Sequence, residues 1–338
     1  MLSRREIKNL LSRYSGATGV ARPVLQLALD YAIWVLLLAG IALPTSFALK
    51  LPLALLLAFW CARLFVIGHD ACHGSYTSNS RLNKVLGRAA FLPTLTAFSL
   101  WEVGHNVAHH GYNNLKTHDF VWTPLSASEY AALPAWRKLL ERAYRSGWLP
   151  GLYYLVEIWW KKLFFPNKQQ MPSRRPAFLR DNLMVVAFAV AWVGTLVAAG
   201  AMTGQSIPGL VGLGFVLPYL VWCSIMGFVV YVQHTHPDVR WYDDKSKWSD
   251  DRAFLTGTVH VKLPQWLSTG LHHILEHTAH HVDMSVPLYQ LQAAQGALET
   301  ALPDKVVAQD FSWRWYFQTA RECQLYDYAE QRWLRFPA

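Results

Sequence analysis

Apolar positions fall into four long blocks separated by polar chain. Residues 24–43 are almost continuously apolar, interrupted only by Gln26, Asp30 and Gly40. A helix of that length crosses ~30 Å of hydrocarbon. A Pro44-Thr45-Ser46 turn leads into a second apolar run, 47–67, with Arg63 near its end and placed to snorkel toward headgroups. Residues 183–232 carry no charged side chain, and the stretch 202–208 divides them into spans at 183–201 and 209–232. Between the pairs, 70–182 is polar and amphipathic. Its one apolar patch, 89–100, is short and contains Pro93, which predicts a re-entrant or interfacial helix. The stretch 139–165, rich in Tyr, Trp, Lys and Arg, reads as a helix lying along a membrane surface, broken afterwards by Pro166, Pro172 and Pro176.

The pattern predicts an all-α integral membrane protein with four transmembrane helices in two hairpins and a histidine-rich cytosolic cap. Its segments are an N-terminal stretch 1–23, a first hairpin 24–67, a polar region 68–182, a second hairpin 183–232 and a cap 233–338.

Charge fixes the orientation. Of 31 Lys and Arg, only Lys50 and Arg63 fall outside 1–23, 68–182 and 233–338. By the positive-inside rule those three segments are cytoplasmic, with Lys50 the sole basic residue of the opposite loops. The Arg4-Arg5 pair faintly resembles a twin-arginine export signal. The apolar run behind it is too long and no small-residue cleavage site follows, so an uncleaved anchor in a bacterial inner membrane is expected. The chain is 53% hydrophobic and 16% charged, against about 25% charged for a soluble protein. Its net charge of +9 is spread along the chain, which suits anionic lipid headgroups and argues against nucleic acid. Cys61, Cys72, Cys223 and Cys323 form no CxxC pair, which argues against zinc ribbons, redox motifs and a disulfide scaffold.

All 14 histidines lie between His69 and His281, on the cytoplasmic side of this topology. Three clusters stand out: His69 and His73; His105, His109 and His110; and His277, His280 and His281. On helices, residues three and four apart share a face. His69 then points with His73, His105 with His109, and His277 with His280 and His281. A lone histidine is usually a satisfied polar residue, but three compact clusters at the exits of spans are not explained that way. A zinc protease would need His-Glu-x-x-His, which is absent, and eight imidazoles exceed the four ligands of one tetrahedral zinc. Two metals are needed to use them all, and imidazole-rich sites with open positions suit iron and oxygen chemistry.

These clusters resemble the three histidine boxes of the membrane-bound fatty acid desaturase family. Residues 231–237, Tyr231 to Pro237 around His234 and His236, are similar to the segment after the fourth span of acyl-lipid Δ12 (ω-6) desaturases, and the resemblance covers roughly 30–295. It implies two iron ions that activate O2 and remove two hydrogens from an unactivated methylene pair. By the same resemblance the ligands are His69, His73, His105, His109, His110, His277, His280 and His281. His234 matches a further histidine often assigned that role, and His273, one turn before His277, could ligate or support the shell with His272. His118, His236 and His260 are read as structural or as supports behind the ligands. Asp70, Glu102 and Glu276 lie beside boxes and could orient imidazole N–H groups. Asp119 matches an acidic residue of the family in a structural role.

Two departures leave the substrate and regiochemistry open. The second box has three residues between its histidines where many relatives have two, and His272 or His273 replaces an asparagine near the third. The implied substrate is a fatty acyl chain, lipid-linked or carrier-linked. No haem or flavin domain and no His-Pro-Gly-Gly signature is visible, so a separate donor of ferredoxin or cytochrome b5 type is expected, and the basic face would suit an acidic one. A hydroxylase, acetylenase or conjugase would keep every ligand. A metal transporter fits less well, because transporters place ionisable ligands within their spans.

Overall fold

The computed structural model describes residues 3–119, 121–166, 171 and 175–337. Four helices are long and apolar enough to cross a membrane: α1 (Ala21–Ala42), α2 (Phe47–Cys72), α3 (Pro176–Thr203) and α4 (Ile207–His234). The chain divides into two compact units. One comprises Ala17–Glu102 and Tyr154–Met226, the other Met1–Gly16, Val103–Tyr153 and Gly227–Ala338.

In the first unit α1 packs along α2, and α2 is the most buried of the four spans. Its 26 residues extend ~39 Å, longer than the ~30 Å of hydrocarbon, so the helix has length left over at its end. Rings fill the interior. Trp34 meets Trp192 edge-on at 4.9 Å, and Phe65 meets Trp101 at 4.9 Å and Phe91 at 5.2 Å. Gly68 sits where any Cβ would strike the Phe91 ring.

Charged residues explain where this unit differs from the sequence reading. Arg63 does not snorkel. Its Nε lies 2.8 Å and its Nη2 3.2 Å from the two oxygens of Asp30, a carboxylate buried on α1. A charge inside an apolar span is tolerable with an opposite partner, and the arginine fork supplies it. Lys50 is not a loop cation. It is buried in the first turn of α2 and donates to the Gln205 side chain, whose Nε2 donates to the Ala42 carbonyl at 2.8 Å. Helix α3 begins at Pro176, seven residues earlier than expected, and so includes Arg180 and Asp181. Asp181 is buried because Arg88 meets it at 2.9 Å and the Ser99 amide donates to it at 2.9 Å.

The patch at 89–100 is not one interfacial helix. An Asn79-capped helix, Ser80–Phe91, passes into a 3-10 turn at Leu92–Thr94. Leu95 then takes a left-handed φ of 50°, and a buried turn, Phe98–Trp101, follows. Pro93 stops the first helix, while Thr94 Oγ1 and the Trp159 indole bind the Phe91 and Leu95 carbonyls at 2.8 Å each. The stretch 139–165 is likewise divided. A helix Ala135–Tyr144 ends before Gly147 (φ 83°), Pro150 opens the next turn, and Tyr154–Phe164 is π-helical.

The second unit is not purely helical. Strands β1 (Val259–Lys262) and β2 (Val307–Asp310) pair in parallel, Val259 opposite Val307, and β3 (Leu325–Asp327) and β4 (Arg332–Leu334) form an antiparallel pair. A short N-terminal helix, Arg4–Leu10, carries a Ser3–Glu6 capping box. It is tied to the third histidine cluster through Asp283, which takes Lys8 Nζ at 3.2 Å and Ser15 Oγ at 2.6 Å.

Candidate metal centre

His69 lies in the last turn of α2 and His73 caps it, so the i,i+4 spacing brings their Nε2 atoms to 3.3 Å. The remaining clustered histidines belong to the second unit. There, residues Glu102–His109 form a π-helix, whose hydrogen bonds close five residues apart. Residues at i and i+5 therefore align, and the Nε2 atoms of His105 and His110 stand 3.1 Å apart. His280 joins them, its ring 4.7 Å from that of His110 and stacked on that of His105 at 6.3 Å. The three offer nitrogens within 4.8 Å of one another.

The other group is His109, His234, His277 and His281, again with one nitrogen each inside 4.8 Å. The Nε2 of His277 is 3.0 Å from both His234 Nε2 and His281 Nε2. In the helix His277–Val282, His277 and His281 are one turn apart and share a face, while His280 turns to the first group. The boxes are thus divided rather than kept together. His105 and His109 stack at 5.2 Å yet belong to different groups, as do His277 and His280. His110 and His281 stack at 4.2 Å where the two groups meet.

The donor set fits a transition-metal ion. Two imidazole nitrogens bound at right angles to a metal at ~2.1 Å would stand ~3.0 Å apart, which is the spacing around His277. The tautomers of two of these imidazoles are also fixed. His234 Nδ1 lies 3.0 Å from the Gly257 carbonyl, an acceptor only, so Nδ1 carries the proton and Nε2 keeps its lone pair. His109 Nδ1 lies 2.8 Å from Asp119 Oδ1 in the same way. Burial pushes the imidazole of His280 down to about 3 and that of His281 well below its usual range. Both rings are neutral at physiological pH, the form that binds metals.

Asp119 is itself well supported. Its Oδ2 accepts the Asn114 amide at 2.6 Å and its Oδ1 the Val121 amide at 3.1 Å. Burial alone would raise this carboxyl, but the nearby His109 and these donors outweigh it and hold it below the usual range. Gly257 is required where it stands, because a Cβ there would come within 2.6 Å of the Ala253 carbonyl and the Asn113 amide nitrogen.

The other candidates lie elsewhere. His272 and His273 are consecutive residues with φ of 52° and 59°, a left-handed pair whose backbone amides donate to the Thr269 and Ser268 carbonyls. His273 Nδ1 is 3.0 Å from both Ser268 Oγ and Glu276 Oε1, and among the described residues His273 belongs to neither imidazole group. Glu276 therefore meets His273 rather than a clustered imidazole. Asp70 accepts Ser75 Oγ at 2.7 Å. The His118 ring lies tilted against Tyr112 at 4.7 Å, His236 Nδ1 accepts the Asp238 amide at 3.1 Å, and His260 meets Glu299. The functional contact that sequence reading placed only as structural is Asp119. Its signal was an acidic residue ten positions beyond His109. The Gly257 carbonyl carried no signal at all.

Comparison with known proteins agrees with this geometry. Residues 45–313 match the fatty acid desaturase family model. An sn-1 oleoyl-lipid 12-desaturase of Picosynechococcus sp. is 29% identical over 290 residues, covering 85% of this chain and 80% of that protein. An enzyme of the same name from Anabaena variabilis is 31% identical, with 78% and 72% covered. A chloroplastic omega-6 fatty acid desaturase of Glycine max is 28% identical, with 78% and 59% covered. With its membrane-length helices, its histidine boxes and a match over most of its length, the chain belongs to the fatty acid desaturase family, enzymes that form C=C bonds in fatty acyl chains.

Proposed function

We propose that this desaturase acts on an acyl chain of a membrane lipid, with two iron ions and O2, and that it introduces the double bond at position 12 of an oleoyl group. The observation that carries the reading is the pair of buried imidazole groups. His109, His234, His277 and His281 hold one iron. His105, His110 and His280 hold the second, for which the sequence resemblance offers His69 and His73 as further ligands. The position follows the activity for which the cyanobacterial relatives are named. When bound, the iron pair supplies the O2 activation and hydrogen abstraction that an unactivated methylene requires.

The protein's own residues prepare that chemistry. Asp119 and the Gly257 carbonyl hold the Nδ1 protons of His109 and His234, which fixes ring orientation and makes the opposite nitrogens better donors. Burial keeps water from competing with ligands and substrate. Electrons come from a separate one-electron carrier of ferredoxin or cytochrome b5 type. The Lys and Arg distribution supports a cytosolic site at a bacterial inner membrane.

The test is expression in a host whose lipids contain oleate but no linoleate, with fatty acids profiled by gas chromatography and iron measured on the purified protein. A new diene formed at the expense of oleate, with iron bound, is the expected result. A hydroxy acid without a new double bond, or protein that binds zinc or copper in place of iron, overturns the reading.

A further inference from the structure

The C-terminal strand pair places a ladder of aromatic rings between the surface and His234. The Trp241 indole Nε1 lies 3.4 Å from the His234 carbonyl oxygen. Trp241 is wholly buried and packs in one cluster with Tyr326 and Tyr328. Tyr326, on β3, meets Trp333 of β4 edge-on, with centroids 5.1 Å apart. Trp333 is only partly buried, and its indole is fixed by a 3.0 Å bond to the Val239 carbonyl. The route therefore runs from the surface through the Trp333–Tyr326 ring pair to Trp241 in the same buried cluster, and from the Trp241 indole across a hydrogen bond to the His234 backbone.

Packing alone would not need such a line. The cluster is small and local, and a strand pair of three residues a side can be covered by any apolar side chains. What rings add is a low-lying π-system at every step, which carries an electron better than saturated side chains do. The reaction needs that service. Forming one double bond takes CH2–CH2 + O2 + 2 H+ + 2 electrons to CH=CH + 2 H2O, so two electrons must reach a buried centre from outside.

The geometry points to Trp333, Tyr326 and Trp241 as the electron entry of this enzyme, with a reduced one-electron carrier protein docking at the exposed edge of Trp333. This rests on the iron reading above. Each carrier molecule is oxidised by one electron, which passes through Trp333, Tyr326 and Trp241 to the His234 side of the centre. No proton needs to move along the route, because the Tyr326 side chain is buried away from water and its ring only relays the electron. The ring serves as a bridge rather than as a radical that must shed its proton.

The experiment compares wild-type, Trp241→Phe and Trp333→Leu enzymes, with Trp266→Leu as a control at an exposed tryptophan off the ladder. Iron content and reduction by dithionite, which needs no protein entry point, should be the same in all four. Reduction by the carrier, followed by stopped flow, should slow roughly tenfold in the two ladder variants and not in the control. An unchanged carrier-driven rate in both ladder variants overturns the proposal.

A second readout uses iron-free protein with a photosensitiser attached at Arg335→Cys, next to β4. A flash should leave a tryptophan radical whose yield drops when Trp241→Phe removes the inner ring. Equal yields with and without Trp241 overturn the ladder. Wild-type protein that binds no iron would instead refute the iron reading, and the flash experiment still decides whether the ladder conducts.

Discussion

The Nδ1 of His109 stands 2.8 Å from one oxygen of Asp119, and the other oxygen of Asp119 takes the Asn114 amide at 2.6 Å. The carboxylate is thereby fixed to backbone before it fixes the imidazole. Asp119→Asn keeps the shape and removes the charge, so His109 loses the partner that favours its Nδ1–H form. Outer-shell substitutions of this kind cost about 10–100-fold in metal affinity. Iron retention during titration with a chelator should fall by that factor in the variant, while its thermal unfolding without metal changes little. Wild-type iron retention in the asparagine variant would show that Asp119 only braces the loop.

The division of histidines between two groups gives a second expectation. His109→Ala removes an imidazole from one group and His280→Ala from the other. Each variant should lose activity and retain roughly half of the iron by elemental analysis, because the untouched group keeps its own ligands. Loss of all the iron in both would mean that the groups load as a unit. Full activity in either would refute its assignment as a ligand.

Buried ion pairs inside spans behave asymmetrically. Removing one partner leaves a charge that must be desolvated without its counterion, whereas replacing both by apolar residues is often neutral. Asp30→Ala should therefore destabilise the protein by about 3 kcal/mol through Arg63. The double variant Asp30→Leu with Arg63→Met should recover most of that loss. Thermal unfolding in one detergent reads both, and a double variant as unstable as the single one would contradict this account.

Glu299 gives a pH dependence away from the histidine groups. Burial pushes its carboxyl up, but hydrogen bonds from Gln295 and His260 and the nearby Lys262 bring it below the usual range. A depressed carboxylate contributes its full stabilisation above its unfolded pKa, about 4.3, and loses it as pH falls through the lower folded value. Gln295 also accepts the Ala279 amide at 2.8 Å, so the contact reaches the third histidine segment. Glu299→Gln should lower Tm by a few degrees at pH 7. The gap to wild type should close as pH falls below about 4. A gap that stays constant into acid would assign the effect to packing.

Four spans were legible because a run of twenty apolar residues has one stable solution in a bilayer. Their ends were less so. Asp181 and Lys50 were read as lying outside the spans and Asp30 as an interruption within one, and each is buried by a partner that is distant in sequence: Arg88, Gln205 and Arg63. The box histidines were legible as residues and not as groups. Regular α-helical phase puts His105 with His109, whereas the π-helix returns His110 to His105 instead. His234 was found through resemblance, but the Gly257 carbonyl behind it is a backbone atom, and the identity of a side chain does not announce it.

The π-helix has a further consequence. In a regular α-helix a residue five places on is turned by about 140° from the first, so His105 and His110 would face apart. A helix whose bonds close at five residues absorbs the extra position in this second box and still brings the two rings together. In this chain the meeting of the two imidazoles is kept although the number of residues between them differs. A search written as a fixed string with two intervening residues would pass over this chain, though its His105 and His110 nitrogens stand 3.1 Å apart.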